Sequence, residues 1–301
     1  MNGGPGDARW THETLNANGL RFHAVTAGAG PTVLLLHGFP ENWYSWRHQL
    51  PALADAGFRA VAVDLRGYGR TDRPRGVSAY RIDRLVEDVD GLIAALRDRP
   101  VHLVAHDWGG AIAWVVAARR AERLASLTIL NAPHPKAFYE RLRHDPKQRR
   151  RSWYIAFFQI PWLPEFLIRL DADRQFKKVF RGMARRKEMF PDEVIAAFRE
   201  PMLEPGALTA ALNYYRALAR HPRNLREARG FPALTLPTLV IWAMNDAALG
   251  PELVDGLEKE FRGPFELHRI PDSSHWVQQE QPERVNELLI DFLRRRGTNA
   301  S

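Results

Sequence analysis

Five short runs recur along the chain with almost no polar residue inside them: TVLLLHGF (32–39), RAVAVDL (59–65), VHLVAHD (101–107), ASLTILNA (125–132) and TLVIWAM (238–244). A strand with one face in water alternates apolar and polar residues, whereas a strand covered on both faces reads as a continuous apolar run. Amphipathic stretches such as DRLVEDVDGLIAALRD (83–98) and GGAIAWVVAARRA (109–121) lie between the runs and supply the covering helices. The expected fold is therefore α/β, with a mostly parallel, doubly wound sheet. At the amino end TLNANGLRFHAVTAG (14–28) alternates around Asn18-Gly19, a two-residue hairpin signal. A strand at 265–270 (FELHRI) and a helix at 281–296 close the series. Between about 135 and 226 the alternation stops and the pattern is helical, clearest in PDEVIAAFREPM and PGALTAALNYYRALAR. The expected organisation is a core in two parts, 1–134 and 227–301, with an inserted helical cap at 135–226 over the sheet's carboxyl edge, where open α/β sheets place their sites.

Composition narrows the function classes. The 301 residues are 45% hydrophobic, enough for a full core, and contain no cysteine, which excludes disulfides, thiolate chemistry and Cys-ligated metals. MNGGPGDARW lacks the apolar segment of a secretory signal. No apolar run approaches the ~20 residues of a membrane helix. The nearest, WYIAFFQIPWLPEFLIRL (153–170), is broken by Gln159, Pro161, Pro164, Glu165 and Arg169 and reads as the lining of something. A cytoplasmic protein without stable membrane insertion is expected. The net charge of +8 is concentrated between Lys136 and Lys187, where 15 Lys+Arg face 5 Asp+Glu. With no nucleic-acid motif beside it, this is read as a solvated basic surface. No phosphate loop, metal cluster or dinucleotide fingerprint is present, so neither cofactor nor metal is expected.

The chemistry is written in LVAHDWGGAIAW (103–114). Strand, sharp turn, helix is the setting in which α/β-hydrolases present a nucleophile inside G-x-S-x-G; here the frame is Ala105-His106-Asp107-Trp108-Gly109, with aspartate in place of serine. Asp246 follows the strand at 238–244, and His275 follows the last strand, within PDSSHW. Nucleophile, acid, histidine is the α/β-hydrolase chain order. His106, pointing to the opposite face from Asp107, is expected to pack beneath the elbow. His37, Gly38 and Pro40 shape a loop that turns the Phe39 amide toward the site, where with the Trp108 amide it would form an oxyanion hole.

A carboxylate is ionised at neutral pH, its reference pKa being ~3.9, and can displace a leaving group from saturated carbon to form an ester of the protein itself. His275, held by Asp246, would then activate water against that ester. The substrate is thereby an epoxide or a halide. An epoxide oxygen needs a proton, which tyrosine can supply; a halide needs only N–H donors.

HGFPENWYSWRHQLPALADAGFRAVAVDLRGYGRTDRP and the elbow HDWGG resemble the α/β-hydrolase-fold soluble epoxide hydrolases, a likeness running from about residue 10 to 295 and weakest in the cap. The resemblance implies two cap tyrosines that hold the epoxide oxygen. Tyr154, five residues before Gln159, matches one; Tyr215 in LNYYR matches the other, with Tyr214 as the alternative register. It implies a small lipophilic epoxide and water as reactants, a vicinal diol as product, and a monomer or homodimer. Phe39, Trp108, Phe157, Phe158, Ile160 and Trp162 are expected to line an apolar pocket. The runner-up is a haloalkane dehalogenase, similar in fold, with Trp108 and Trp162 as halide donors. In haloacetate dehalogenases an arginine follows the nucleophile, where this chain has Trp108. Some relatives carry the acid at the position of Asn131. A catalytically dead hydrolase fold serving as a binding module is the reading from outside enzymology.

Overall fold

The computed structural model describes residues 9–98, 100–220 and 227–297. The expected end of the helical insert at Arg226 and most of MNGGPGDARW lie outside these residues. Eight strands form one sheet: β1 (Thr11–Ala17), β2 (Leu20–Ala27), β3 (Thr32–Leu36), β4 (Arg59–Val63), β5 (Val101–His106), β6 (Leu124–Leu130), β7 (Thr238–Ala243) and β8 (Phe265–Ile270). They stand in the order β1-β2-β4-β3-β5-β6-β7-β8. The β1–β2 and β2–β4 pairs are antiparallel and the other pairs parallel. Asn18 and Gly19 both take positive φ at the β1–β2 turn, as a two-residue hairpin requires.

Every residue of β3 and β7 is buried, while the edge strands β1 and β8 are largely half-exposed. That contrast is what continuous versus interrupted apolar runs encode. Helices α1 (Gln49–Asp55), α2 (Ile82–Leu96) and α3 (Asp107–Arg119), with the last helix Pro282–Gly297, cover the sheet. In α2 the buried residues Leu85, Val89, Leu92, Ile93 and Leu96 follow the i, i+4, i+7, i+8, i+11 spacing of one helical face.

The chain builds outward from β3 in both directions, to β4 on one side and to β5 and beyond on the other. Loops leaving the carboxyl ends of β3 and β5 diverge at such a switch point and open a crevice. Between β6 and β7 the chain forms the α-helices α4 (Pro135–His144), α5 (Pro146–Arg151), α6 (Trp153–Phe157), α7 (Leu163–Leu170), α8 (Ala172–Met183), α9 (Asp192–Leu203) and α10 (Ala207–Arg220), with a 3-10 turn at Lys187–Met189. This insert is the source of the tyrosines considered below.

Candidate active site

β5 ends at His106 and α3 begins at Asp107, so the direction change falls on one residue. Asp107 accordingly takes φ +48°, a left-handed conformation that costs a non-glycine residue about 1–3 kcal/mol and is held by its surroundings. Those surroundings leave no room. A Cβ on Gly38 would lie 2.3 Å from the Asp107 Cβ, and one on Gly109 would lie 2.4 Å from the Leu36 carbonyl oxygen. The Gly109 N–H donates to the His37 carbonyl at 3.0 Å, tying the elbow to the loop after β3. The Phe39 N–H donates to Asp107 Oδ1 at 2.7 Å.

His37 is structural. Leu65 N–H donates to its Nε2 at 3.0 Å, which leaves Nδ1 to donate to the Gly38 carbonyl at 2.8 Å. Burial lowers its pKa, outweighing Asp64 and the Gly38 carbonyl. The neutral ring thus acts as a brace for the loop that carries Phe39.

His275 Nδ1 lies 2.6 Å from Asp246 Oδ2, and its Nε2 faces Asp107 Oδ2 at 3.6 Å. Burial disfavours the imidazolium, but the charges of Asp246 and Asp107 outweigh it and raise the His275 pKa well above the ordinary imidazole value. Burial likewise pushes both carboxyls up. The facing His275 outweighs that for each, aided at Asp107 by the Phe39 amide and at Asp246 by the Leu249 amide and Asn131, so both pKa values are lowered. Asp246 is the more heavily anchored: Oδ1 accepts from the amides of Ala248 and Leu249 at 2.8 and 2.9 Å, and Oδ2 accepts from Asn131 Nδ2 at 2.9 Å. Asn131, itself at φ +38°, also accepts from the Ala243 amide at 2.8 Å through Oδ1. The position after β6, where some relatives carry the acid, here holds an amide that steadies the acid after β7.

Beneath the elbow His106 is fully buried, with Nδ1 2.9 Å from Glu41 Oε2 and Nε2 2.8 Å from the His275 carbonyl. It therefore packs under Asp107 and also pins the His275 backbone. Glu41 was not singled out from the sequence. A carboxylate directly after the HGFP turn was the available signal.

Above the carboxylate stand two tyrosines from different helices. The Tyr215 ring meets Trp108 edge-on at 5.0 Å, Phe39 at 5.5 Å, Phe158 at 5.0 Å and Tyr154 at 5.9 Å. Gln159 Nε2 donates to the Tyr215 carbonyl at 3.1 Å and joins the segment after α6 to α10. Burial raises the pKa of both tyrosines, and Asp107 adds to the shift in each. The neighbouring Tyr214 is spoken for: its hydroxyl donates to the Arg66 carbonyl at 2.8 Å.

The six expected pocket residues divide. Phe39, Trp108, Phe157 and Phe158 are buried or half-buried around the tyrosines. Ile160 and Trp162 do not join them; they are 42% and 82% exposed. The segment turns outward after Phe158, where Arg216 holds the carbonyls of Phe158 and Ile160 at 2.9 and 3.0 Å. Trp162 takes φ +61°, and no second indole from it reaches the site. Among the described residues no group of His, Asp and Glu side chains is arranged to hold a metal.

Comparison with known proteins agrees with this geometry. Residues 31–282 match the family described as alpha/beta hydrolase fold. The chain is 40% identical over 283 residues to the AB hydrolase superfamily protein YfhM of Bacillus subtilis, covering 93% of this chain and 96% of that protein. It is 39% identical over 287 residues to epoxide hydrolase 3 of Xenopus tropicalis, covering 93% and 76%. Among solved structures, an epoxide hydrolase from Bacillus megaterium superposes with a TM-score of 0.82 at 32% identity, covering 94% of this chain and all of that one. The chain belongs to the α/β-hydrolase fold family and, within it, to the epoxide hydrolases.

Proposed function

We propose that this enzyme opens a lipophilic epoxide to a vicinal diol through an ester on Asp107, with Tyr154 and Tyr215 as proton donors. The observation that carries the reading is the seat of the tyrosine pair: Tyr215 packs on Phe39 and Trp108, the two residues whose backbones flank the nucleophile, and Tyr154 packs on Tyr215.

In the first step an Asp107 oxygen attacks a ring carbon, the carbon–oxygen bond of the epoxide breaks, and its oxygen takes a proton from a tyrosine. The electrostatics favour this timing. The Asp107 charge is one reason the tyrosine pKa values are high, and that charge vanishes as the ester forms, making the phenols stronger acids when the proton is needed. Esterification also removes one of the two carboxylates that raise His275. His275 passes its proton to the tyrosinate left by the first step, and the neutral imidazole is then a proton acceptor for water. In the second step hydroxide adds to the ester carbonyl carbon and the oxyanion rests on the Phe39 and Trp108 amides, each such donor being worth about 10²–10³ in rate. Collapse releases the diol with the proton from His275, and the Asp107 carboxylic acid then gives its proton to His275 through solvent, restoring the resting pair.

The helical insert serves as the cap, and the four aromatic residues that remain around the tyrosines are the wall against which an apolar epoxide is placed. Dehalogenation is disfavoured because Phe39 occupies one position for a second halide donor and Trp162, the other candidate, is 82% exposed.

Replacing His275 with Gln and offering an aryl epoxide should leave an added mass on the peptide containing Asp107, with turnover reduced by about 10²–10⁴-fold. An unmodified peptide in a folded variant that still binds the epoxide overturns the ester route. Bromide released from a bromoalkane by the wild type, without diol from the epoxide, transfers the assignment to the dehalogenases.

A further inference from the structure

Among the described residues, every large apolar side chain left exposed, apart from Leu218, falls between Trp153 and Leu170. In α7 the exposed set is Leu163, Phe166, Leu167 and Leu170, at 41%, 60%, 39% and 69%. The spacing i, i+3, i+4, i+7 places them on one face, so this is an amphipathic helix with its apolar stripe turned to solvent. Its inward side carries buried Pro164 and a carboxylate: Glu165 accepts from Arg216 at 2.7 and 3.0 Å, one oxygen to each guanidinium nitrogen. A bidentate pair of this kind locks orientation, so the helix is not free to roll its apolar face inward. Trp162, just ahead of it, extends the same exposed surface.

The flanking helices supply the charge. Lys147, Arg149 and Arg150 on α5, and Arg174 and Lys178 on α8, are exposed, within the segment whose 15 Lys+Arg face 5 Asp+Glu. α5 leads directly into α6, and α8 follows α7 after one residue. A second copy of this chain would set one cationic rim against another. An apolar face bordered by cations is instead the chemistry of a helix lying in the surface of an anionic bilayer.

We propose that α7 and Trp162 form a docking face for anionic phospholipid surfaces; among the described residues no helix is long and apolar enough to cross a membrane. The face continues inward by rings: Trp153, 64% exposed, meets Phe157 at 5.9 Å, Phe157 meets Phe158 at 5.9 Å, and Phe158 meets Tyr215 at 5.0 Å. A lipophilic epoxide dissolved in the bilayer thus has an apolar route toward the tyrosines that avoids bulk water.

Flotation of the full chain with vesicles tests this. Wild type should float with phosphatidylcholine vesicles containing about 30% phosphatidylglycerol and lose that binding at about 0.5 M salt. The triple substitution Phe166→Ser, Leu167→Ser, Leu170→Ser should weaken binding by about tenfold or more. The same variant should turn over a water-soluble epoxide at the wild-type rate, which certifies its fold. Binding is read without substrate, so the face stands or falls separately from the reaction assigned to Asp107. Wild type that stays with neither vesicle type, or binds neutral vesicles equally well, overturns the proposal. So does a wild-type dimer that the triple variant converts to monomers with no vesicle binding by either, which assigns the face to a second copy.

Discussion

The site has two halves built by different means. On the sheet side, Asp107, Asp246 and His275 sit at the ends of β5, β7 and β8, and hydrogen bonds of 2.6–2.9 Å from named backbone and side-chain partners hold each carboxylate. On the helical side, Tyr154 and Tyr215 are held by rings meeting edge to face at 5.0–5.9 Å and by one amide from Gln159. Parallel strands share one frame and can fix a charge to within tenths of an ångström. Helices packed through aromatic edges position by shape and leave the reactant a surface to slide along. Under the proposed mechanism the difference is a division of labour: ester formation and breakdown fall to the sheet, and protonation of the opening oxygen falls to the insert.

The double substitution Tyr154→Phe, Tyr215→Phe breaks the comparison most forcefully. It should lower epoxide turnover by about 10²–10⁴-fold while leaving the ester-hydrolysing half intact, because the packing area is kept and only the protons go. Full retained activity in steady-state assays would mean the insert supplies no proton. Next comes Gly38→Ala, which drives a methyl group into the Asp107 side chain; a shift of the nucleophile by part of an ångström should cost about 10²-fold in kcat, with little change in substrate binding.

A pH effect follows from His275. Its folded pKa is raised, so the folded state holds the proton more tightly than the unfolded chain, whose value is ~6.5. That stabilisation is complete below the unfolded value and is lost as pH rises through the folded one, with a slope of up to about 1.4 kcal/mol per pH unit. Denaturant titrations of wild type and the His275→Gln variant at alkaline pH should differ in slope accordingly; parallel curves would deny the charged His275 in the resting protein. The smallest effect sharpens the comparison within one helix. Tyr214→Phe, removing the hydrogen bond to the Arg66 carbonyl, should cost about 1–2 kcal/mol of stability and leave kcat near wild type, the opposite of Tyr215→Phe.

The elbow was legible because its chemistry is local. The apolar run, Asp107 and the two glycines are contiguous, and the close approaches at Gly38 and Gly109 explain why those residues are glycine. His275 and Asp246 were legible because each follows a recognisable strand. What escaped were contacts between segments far apart in the chain, such as Asn131 steadying Asp246 and Glu41 meeting His106 across 65 positions. The resemblance picks Tyr215 over Tyr214, but the local pattern does not, since adjacent residues on α10 point about 100° apart and their surroundings decide which one faces Asp107.

The stretch from Trp153 to Leu170 marks the boundary most clearly. By itself the amino-acid order determines that this piece is apolar, broken by prolines and unable to cross a membrane as one helix, because those properties belong to residues and their neighbours. Which of its side chains face Asp107 and which face outward was decided by tertiary structure. The Arg216 guanidinium captures Glu165 and the carbonyls of Phe158 and Ile160, directs Phe158 inward and Trp162 outward, and turns the α7 stripe to solvent. A buried charge must find its partner, and the location of that partner, 51 positions away, outweighs the tendency of apolar residues to leave water.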